Sequence, residues 1–113
     1  MDYFGYGGGN DAVSCRGKEN APLPKPYTRE GQYRFFVRVP DLAALGDSQQ
    51  SPTLSPFILC EDGRPLGPAH TKPEDVLALG QGRYVHWGGV LFFSTSDNSD
   101  PNVNNRNYEL KRE

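Results

Sequence analysis

Residues 80–101 read GQGRYVHWGGVLFFSTSDNSDP, and this stretch decides the fold. Two apolar runs flank Gly88-Gly89, a dipeptide that tolerates the positive φ angles of a two-residue hairpin turn. The predicted register puts Trp87 opposite Val90 and Val85 opposite Phe92 on one face, and Tyr84, His86, Leu91 and Phe93 on the other. Because both faces carry large apolar side chains, we expect the hairpin to be covered on both sides and to lie at the centre of the core.

Further strand patterns lie on either side of this hairpin. Residues 31–39 alternate, with Phe35 and Val37 on the face that we expect to be buried. Residues 57–60 form a short apolar run that turns back at 61–64, and residues 107–110 suit a last strand.

Helical patterns are short and few. Thr71-Lys72-Pro73-Glu74 fits a capping box, which predicts a helix near 73–79 ended by Gly80. A helical turn over 41–46, capped by Asp41, is also expected.

The composition favours one mainly β domain. The 113 residues include 13 Gly, 10 Pro, 6 Tyr and 6 Phe, which is typical of a turn-rich and aromatic-rich chain. We therefore expect a single domain over 1–113, an antiparallel β-sandwich or jelly-roll-like fold with one short α-helix near 73–79. Residues 1–30 are expected to be partly extended or flexible, with the prolines at 22, 24 and 26 lying over the surface.

Charge and hydropathy disfavour several classes of protein. A formal net charge of −2 disfavours a nucleic-acid binder, which needs clustered Lys and Arg. The sequence contains no apolar run long enough for a membrane span and no export signal, so the default expectation is a cytoplasmic protein. The chain also suits a module excised from a larger protein.

The two cysteines, Cys15 and Cys60, do not form a CxxC pair and are too few for a disulfide scaffold. The simplest expectation is two small buried thiols. A single disulfide between them is the alternative.

The polar stretch 94–106 is the predicted ligand site. Amides, hydroxyls and carboxylates bond the hydroxyls of sugars, and an aromatic ring can stack on the C–H face of the same sugar. The predicted contacts are Tyr84, His86, Trp87, Ser96, Asp97, Asn98, Asp100, Asn102 and Arg106. The alternative is that these side chains build Asx-turns within a long loop and bind nothing.

Metal and catalytic sites have weaker support. Asn98, Asp100 and Asn102 alternate as calcium ligands would, but the glycine of an EF-hand loop is missing and no helices flank the loop. No cofactor is therefore expected, with calcium the alternative. His70 and His86 lack the spacing of a zinc site, so core or hydrogen-bonding roles are expected. A triad drawn from His86, Asp97 and a serine lacks a nucleophile elbow, and we expect no enzyme.

Three motifs resemble a known kind of module. They are EDGRPL at 61–66, GQGRYVHW at 80–87 and FSTSDNSDP at 93–101. Their order resembles a small β-rich segment of bacterial surface-polysaccharide proteins, found beside glycosyltransferases and sugar-linked methyltransferases. The resemblance covers residues 57–110, about half of the chain, and implies a connection with carbohydrate.

The sequence therefore predicts a non-catalytic carbohydrate-binding or accessory module whose partner is a glycan or a glycan-related protein. The alternative is a structural or protein-interaction domain. It would form oligomers through a sheet edge or through the aromatic N-terminal residues Tyr3, Phe4 and Tyr6.

Overall fold

A computed structural model describes residues 15, 16 and 19–112. The strands are β1 (Glu19–Pro22), β2 (Thr28–Glu30), β3 (Arg34–Arg38), β4 (Ile58–Glu61), β5 (Arg64–Pro65), β6 (Tyr84–Trp87), β7 (Val90–Phe93) and β8 (Tyr108–Arg112). A 3₁₀ helix spans Pro40–Leu45, and helix α1 spans Pro73–Leu79. No helix in this described part of the chain has the length and apolarity that a membrane span needs.

The strands form two antiparallel sheets that share one core. The first sheet has the order β1-β8-β4-β5 and the second the order β2-β3-β7-β6. Aromatic rings join the sheets: the Tyr27 ring lies 5.2 Å from Phe93 and 5.9 Å from Tyr108 between centroids, in edge-to-face contacts. Such contacts add to the hydrophobic gain from burial. The mainly β, sandwich-like fold predicted from the sequence is confirmed.

The central hairpin has the predicted register. Val85 pairs with Phe92 and Trp87 with Val90, and Gly88 takes a φ of 54° in the turn. The inner face, which carries Tyr84, His86, Leu91 and Phe93, is buried. The outer face is covered only in part, because α1 packs on β6 and buries Val85 while Trp87 stays 38% exposed.

Both short helices occur where they were expected, but with different caps. Thr71 Oγ1 donates to the Pro68 carbonyl at 2.7 Å, so the predicted capping box does not form, and Lys72 is the N-cap of α1. The 3₁₀ helix begins after Val39, and Asp41 lies in its first turn rather than at the cap. Proline near the start of each helix supplies the fixed φ that a first turn needs.

Residues 19–22 form a strand that the sequence did not predict. Strand β1 pairs with β8, so this part of the chain belongs to the first sheet and does not merely lie over the surface. A disulfide joins Cys15 to Cys60, with Cα atoms 6.1 Å apart, and the expectation of two free thiols was wrong. The predicted contact residues Tyr3, Phe4 and Tyr6 lie outside the described residues.

Candidate functional site

The polar loop, residues 94–106, is closed on itself by an ion pair. Arg106 donates two hydrogen bonds to the two oxygens of Asp97, both at 2.9 Å. The Ser99 hydroxyl donates to Asp97 Oδ1 at 2.6 Å. The bonds from Arg106, and then those from Ser99, hold the pKa of Asp97 well below its usual range. Asp97 and Arg106, both predicted to bind a ligand, thus bind each other.

Glu61 anchors this loop to the first sheet. Its carboxylate is nearly buried and accepts hydrogen bonds from the Ser96 hydroxyl at 2.6 Å and from the Tyr108 hydroxyl at 2.7 Å. Burial alone would raise the pKa of Glu61, but these bonds and the charge of Arg106 outweigh it, and the pKa is lowered. Ser96, a predicted ligand contact, therefore serves to fix the loop.

The three oxygens proposed for calcium face separate backbone groups. Asn98 Oδ1 accepts from the Gln81 N–H at 2.7 Å, and Asp100 Oδ1 accepts from the Asn102 N–H at 2.8 Å. Asn102 spans to Tyr27, accepting from its N–H at 2.7 Å and donating to its carbonyl at 2.9 Å. Among the described residues no group of three or more His, Cys, Asp or Glu side chains has the arrangement of a metal site. These bonds are those of turns and loop anchors, the alternative that the sequence had left open.

The predicted aromatic contacts do not meet the polar loop. Tyr84 and His86 are buried in the core, on the face opposite Trp87. Trp87 pairs with Val90, four residues before Ser94. An antiparallel strand advances about 3.4 Å per residue, which separates Trp87 from the start of the loop by roughly 14 Å. The predicted residues therefore do not form one site.

Trp87 instead lines a groove at the turn end of the hairpin, with a volume of about 530 Å³. The groove walls come from the loop after the 3₁₀ helix, the start of α1 and strand β6. Its lining residues are Ser48, Gln49, Pro52, His70, Thr71, Lys72, Pro73, Glu74, Val85 and Trp87. A half-exposed indole thus faces hydroxyl, amide, imidazole, ammonium and carboxylate groups. We call this the Trp87 groove.

Another groove, of about 560 Å³, lies between residues 22–27 and 107–109. It is lined by two tyrosines, Tyr27 and Tyr108, but both are buried and bonded within the protein. Neither tyrosine is exposed as Trp87 is.

Asp47 supports the Trp87 groove from beneath. Its side chain is fully buried, and Oδ2 lies 2.6 Å from His70 Nδ1 while Oδ1 accepts from the Ser55 N–H at 2.7 Å. Its backbone is bridged to Trp87: the Asp47 N–H donates to the His86 carbonyl at 2.6 Å, and the Gly88 N–H donates to the Asp47 carbonyl at 3.1 Å. One residue thus fixes both the strand that carries Trp87 and the ring of His70.

His86 lies behind the same groove. Its Nδ1 is 2.7 Å from the Ser55 hydroxyl, and its ring packs edge-on against Phe57 with centroids 5.7 Å apart. Burial lowers the pKa of His86, although the charge of Asp47 opposes that shift. The predicted hydrogen-bonding roles of both histidines are confirmed, and His86 bonds a serine without Asp97.

Sequence reasoning had missed Asp47, and it had placed His70 in no site. Asp47 lies in a polar loop, where an isolated aspartate is ordinary, and its partners are 8 and 23 residues away along the chain. No short motif encodes such a contact. No protein-family model, curated protein or solved structure matches the chain.

Proposed function

We propose that this protein is a non-catalytic carbohydrate-binding module and that the Trp87 groove is its binding site. The observation that carries the proposal is the 38% exposure of Trp87 in a groove rimmed by polar side chains. An indole face attracts the C–H face of a sugar ring, while amides, hydroxyls and charged groups bond its hydroxyls. The groove volume of about 530 Å³ falls within the range of small-molecule sites.

The proposal moves the site away from the polar loop. In that loop the groups expected to touch a ligand are bonded to one another or to backbone, whereas the rim of the groove presents Gln49, Lys72 and Glu74. Lys72 and Glu74 are exposed and carry opposite charges, which suits a neutral ligand rather than a polyanion.

The test is thermal unfolding of the protein against a panel of bacterial polysaccharides and monosaccharides, each with calcium and with chelator. A ligand at 100 times its dissociation constant stabilises the folded protein by about 2.7 kcal/mol. We expect one class of neutral glycan to raise the melting temperature, to the same extent with chelator.

Two variants locate the site. Trp87→Ala should weaken glycan binding by roughly tenfold or more, the equivalent of about 1.4 kcal/mol, because the stacking surface is lost. Asp97→Asn, at the polar loop, should leave affinity unchanged in a protein that still unfolds cooperatively. The reverse result would return the site to the loop, and no stabilisation by any glycan would favour the structural or oligomer-forming alternative.

A further inference from the structure

A chain of hydrogen bonds beneath the Trp87 groove joins the two histidines. The chain runs from His70 to Asp47, from Asp47 to Ser55, and from Ser55 to His86, through contacts of 2.6, 2.7 and 2.7 Å. Asp47 and His86 are each 1% exposed, whereas the His70 side chain is 31% exposed. The chain therefore begins at the groove and ends in the core.

The buried carboxylate determines which nitrogen of His70 carries the proton. An ionised carboxylate only accepts hydrogen bonds, so the group that faces Asp47 Oδ2 must be a donor, and in a neutral imidazole that places the proton on Nδ1. The His70 side chain, 31% exposed, lines the Trp87 groove and also an adjoining groove of about 430 Å³ between residues 55–58 and 66–70. Since Nδ1 is held against a fully buried side chain, the ring edge that a ligand can reach is the far one, which carries Nε2. The unprotonated nitrogen is then an acceptor on the groove side.

We infer that Asp47 is a positioning residue which fixes His70 as a hydrogen-bond acceptor in the Trp87 groove, so that the ligand group bound there is a donor, a sugar hydroxyl or amide N–H. This inference rests on the proposed function for the identity of the ligand. The tautomer itself follows from Asp47 and His70 alone.

Other ionisable groups near the ring leave this assignment in place. Lys72 and Glu74 line the same groove, and Tyr84 lines the adjoining one. His86 is reached only through Ser55, whose hydroxyl also accepts from the Phe57 N–H at 3.3 Å. A hydroxyl can donate one hydrogen bond and accept two, so the bond from Phe57 leaves the Ser55 hydroxyl able either to donate to His86 Nδ1 or to accept from it. The tautomer of His86 therefore does not bear on that of His70.

The experiment is ¹⁵N–¹H NMR of the histidine rings at pH 8, above the ordinary titration range of imidazole, on protein without a histidine tag. The chain has only two histidines, and His70→Gln assigns their signals. We expect a protonated Nδ1 and an unprotonated Nε2 for His70. A proton on Nε2 of His70 in the wild-type protein overturns the inference, whatever ligand is found.

Asp47→Asn tests the cause. The amide oxygen can still accept from the Ser55 N–H, but its NH₂ group would donate to His70 Nδ1 and drive the proton to Nε2. We expect the protonated nitrogen of His70 to change from Nδ1 to Nε2, while the ring signals of His86 keep their pattern. Unchanged His70 signals in a folded variant would overturn the role of Asp47. Should this variant fail to fold, the wild-type spectrum still decides the tautomer.

The inference that His70 binds a donor group of the ligand is tested with glucose and its mono-O-methyl ethers. Methylation of a hydroxyl removes its donor and keeps its acceptor oxygen. One ether should bind roughly five- to tenfold more weakly than glucose to the wild-type protein, and the same ether should lose little in Asp47→Asn. Equal losses in both proteins contradict the inference. If no sugar binds while the His70 tautomer is as expected, the proposed function fails and the positioning of His70 by Asp47 stands.

Discussion

At the scale of single residues, His86 shows how burial of an ionisable group sets the response of the fold to pH. Its ring is in the core, and burial lowers its pKa in the folded protein below the ordinary value near 6.5. Between the two values the unfolded chain binds more protons than the folded one. Stability is therefore highest above the unfolded pKa and falls as the pH decreases below it.

We expect the free energy of unfolding to decrease between pH 7 and pH 5, and His86→Gln to remove most of that slope at some cost in absolute stability. Urea denaturation at several pH values measures it. Glu61 and Asp97, whose pKa values are lowered, lose their stabilising contribution only at more acidic pH, so they do not obscure this window. An unchanged slope in His86→Gln would contradict the assignment.

The individual site residues were only partly predictable from the sequence, because local pattern determines their place in a strand but not their distance from other segments. The position of Trp87 on a hairpin follows from local alternation, and its pairing with Val90 was predicted correctly. Trp87 and the polar loop lie at opposite ends of the hairpin. Their closeness along the sequence had suggested that they would lie together. The bond between Asp47 and His70 depends on how two loops pack, which neither loop encodes alone.

At the scale of elements, the loop after the 3₁₀ helix is pressed against the turn of the central hairpin at Gly46. A Cβ atom placed there would lie 2.6 Å from Gly88 Cα, closer than real contacts allow. Gly46 has an ordinary φ of −73°, so the requirement for glycine comes from close approach rather than from backbone conformation. The next residue, Asp47, is bridged to Trp87, so this contact lies beside the Trp87 groove.

Gly46→Ala should therefore destabilise the protein by about 1–3 kcal/mol, because backbone must shift to admit the methyl group. It should also weaken the bridge between Asp47 and Trp87, which raises the hydrogen-exchange rate of the Asp47 and Gly88 amides. Gly67→Ala is the matched control, since the nearest atom to its added Cβ is at an ordinary 3.8 Å. Equal stability of the two variants would show that the loop does not press on the turn.

Elements that rest on local pattern were predicted well. The hairpin register, helix α1 and the strand near 57–60 all follow from alternation, turn residues or helix-breaking residues within a few positions. The capping box was wrong because Thr71 bonds the Pro68 carbonyl instead, a competing local partner that the motif does not show. Strand β1 was missed because its pairing with β8 spans nearly the whole chain.

At the scale of the whole molecule, the disulfide between Cys15 and Cys60 ties the start of the described chain to β4 across 45 residues. Cys60 is buried, so this link holds Cys15 against the first sheet as well as restricting the unfolded chain. Disulfides are more typical of oxidising compartments than of the cytoplasm, and the cytoplasmic location expected from the sequence stays a prediction.

In the chain-entropy description, closing a loop of this length destabilises the unfolded state by about 4 kcal/mol. Reduction should accordingly lower the melting temperature by roughly 10 °C or more for a domain of this size. Thermal unfolding with and without a phosphine reductant measures the effect. Cys15→Ser is the control: its melting temperature should lie near that of the reduced wild-type protein and should not change when the reductant is added. Coincident curves for oxidised and reduced wild-type protein, with alkylation confirming that the thiols were freed, would mean that packing of β1 on β8 alone holds this segment.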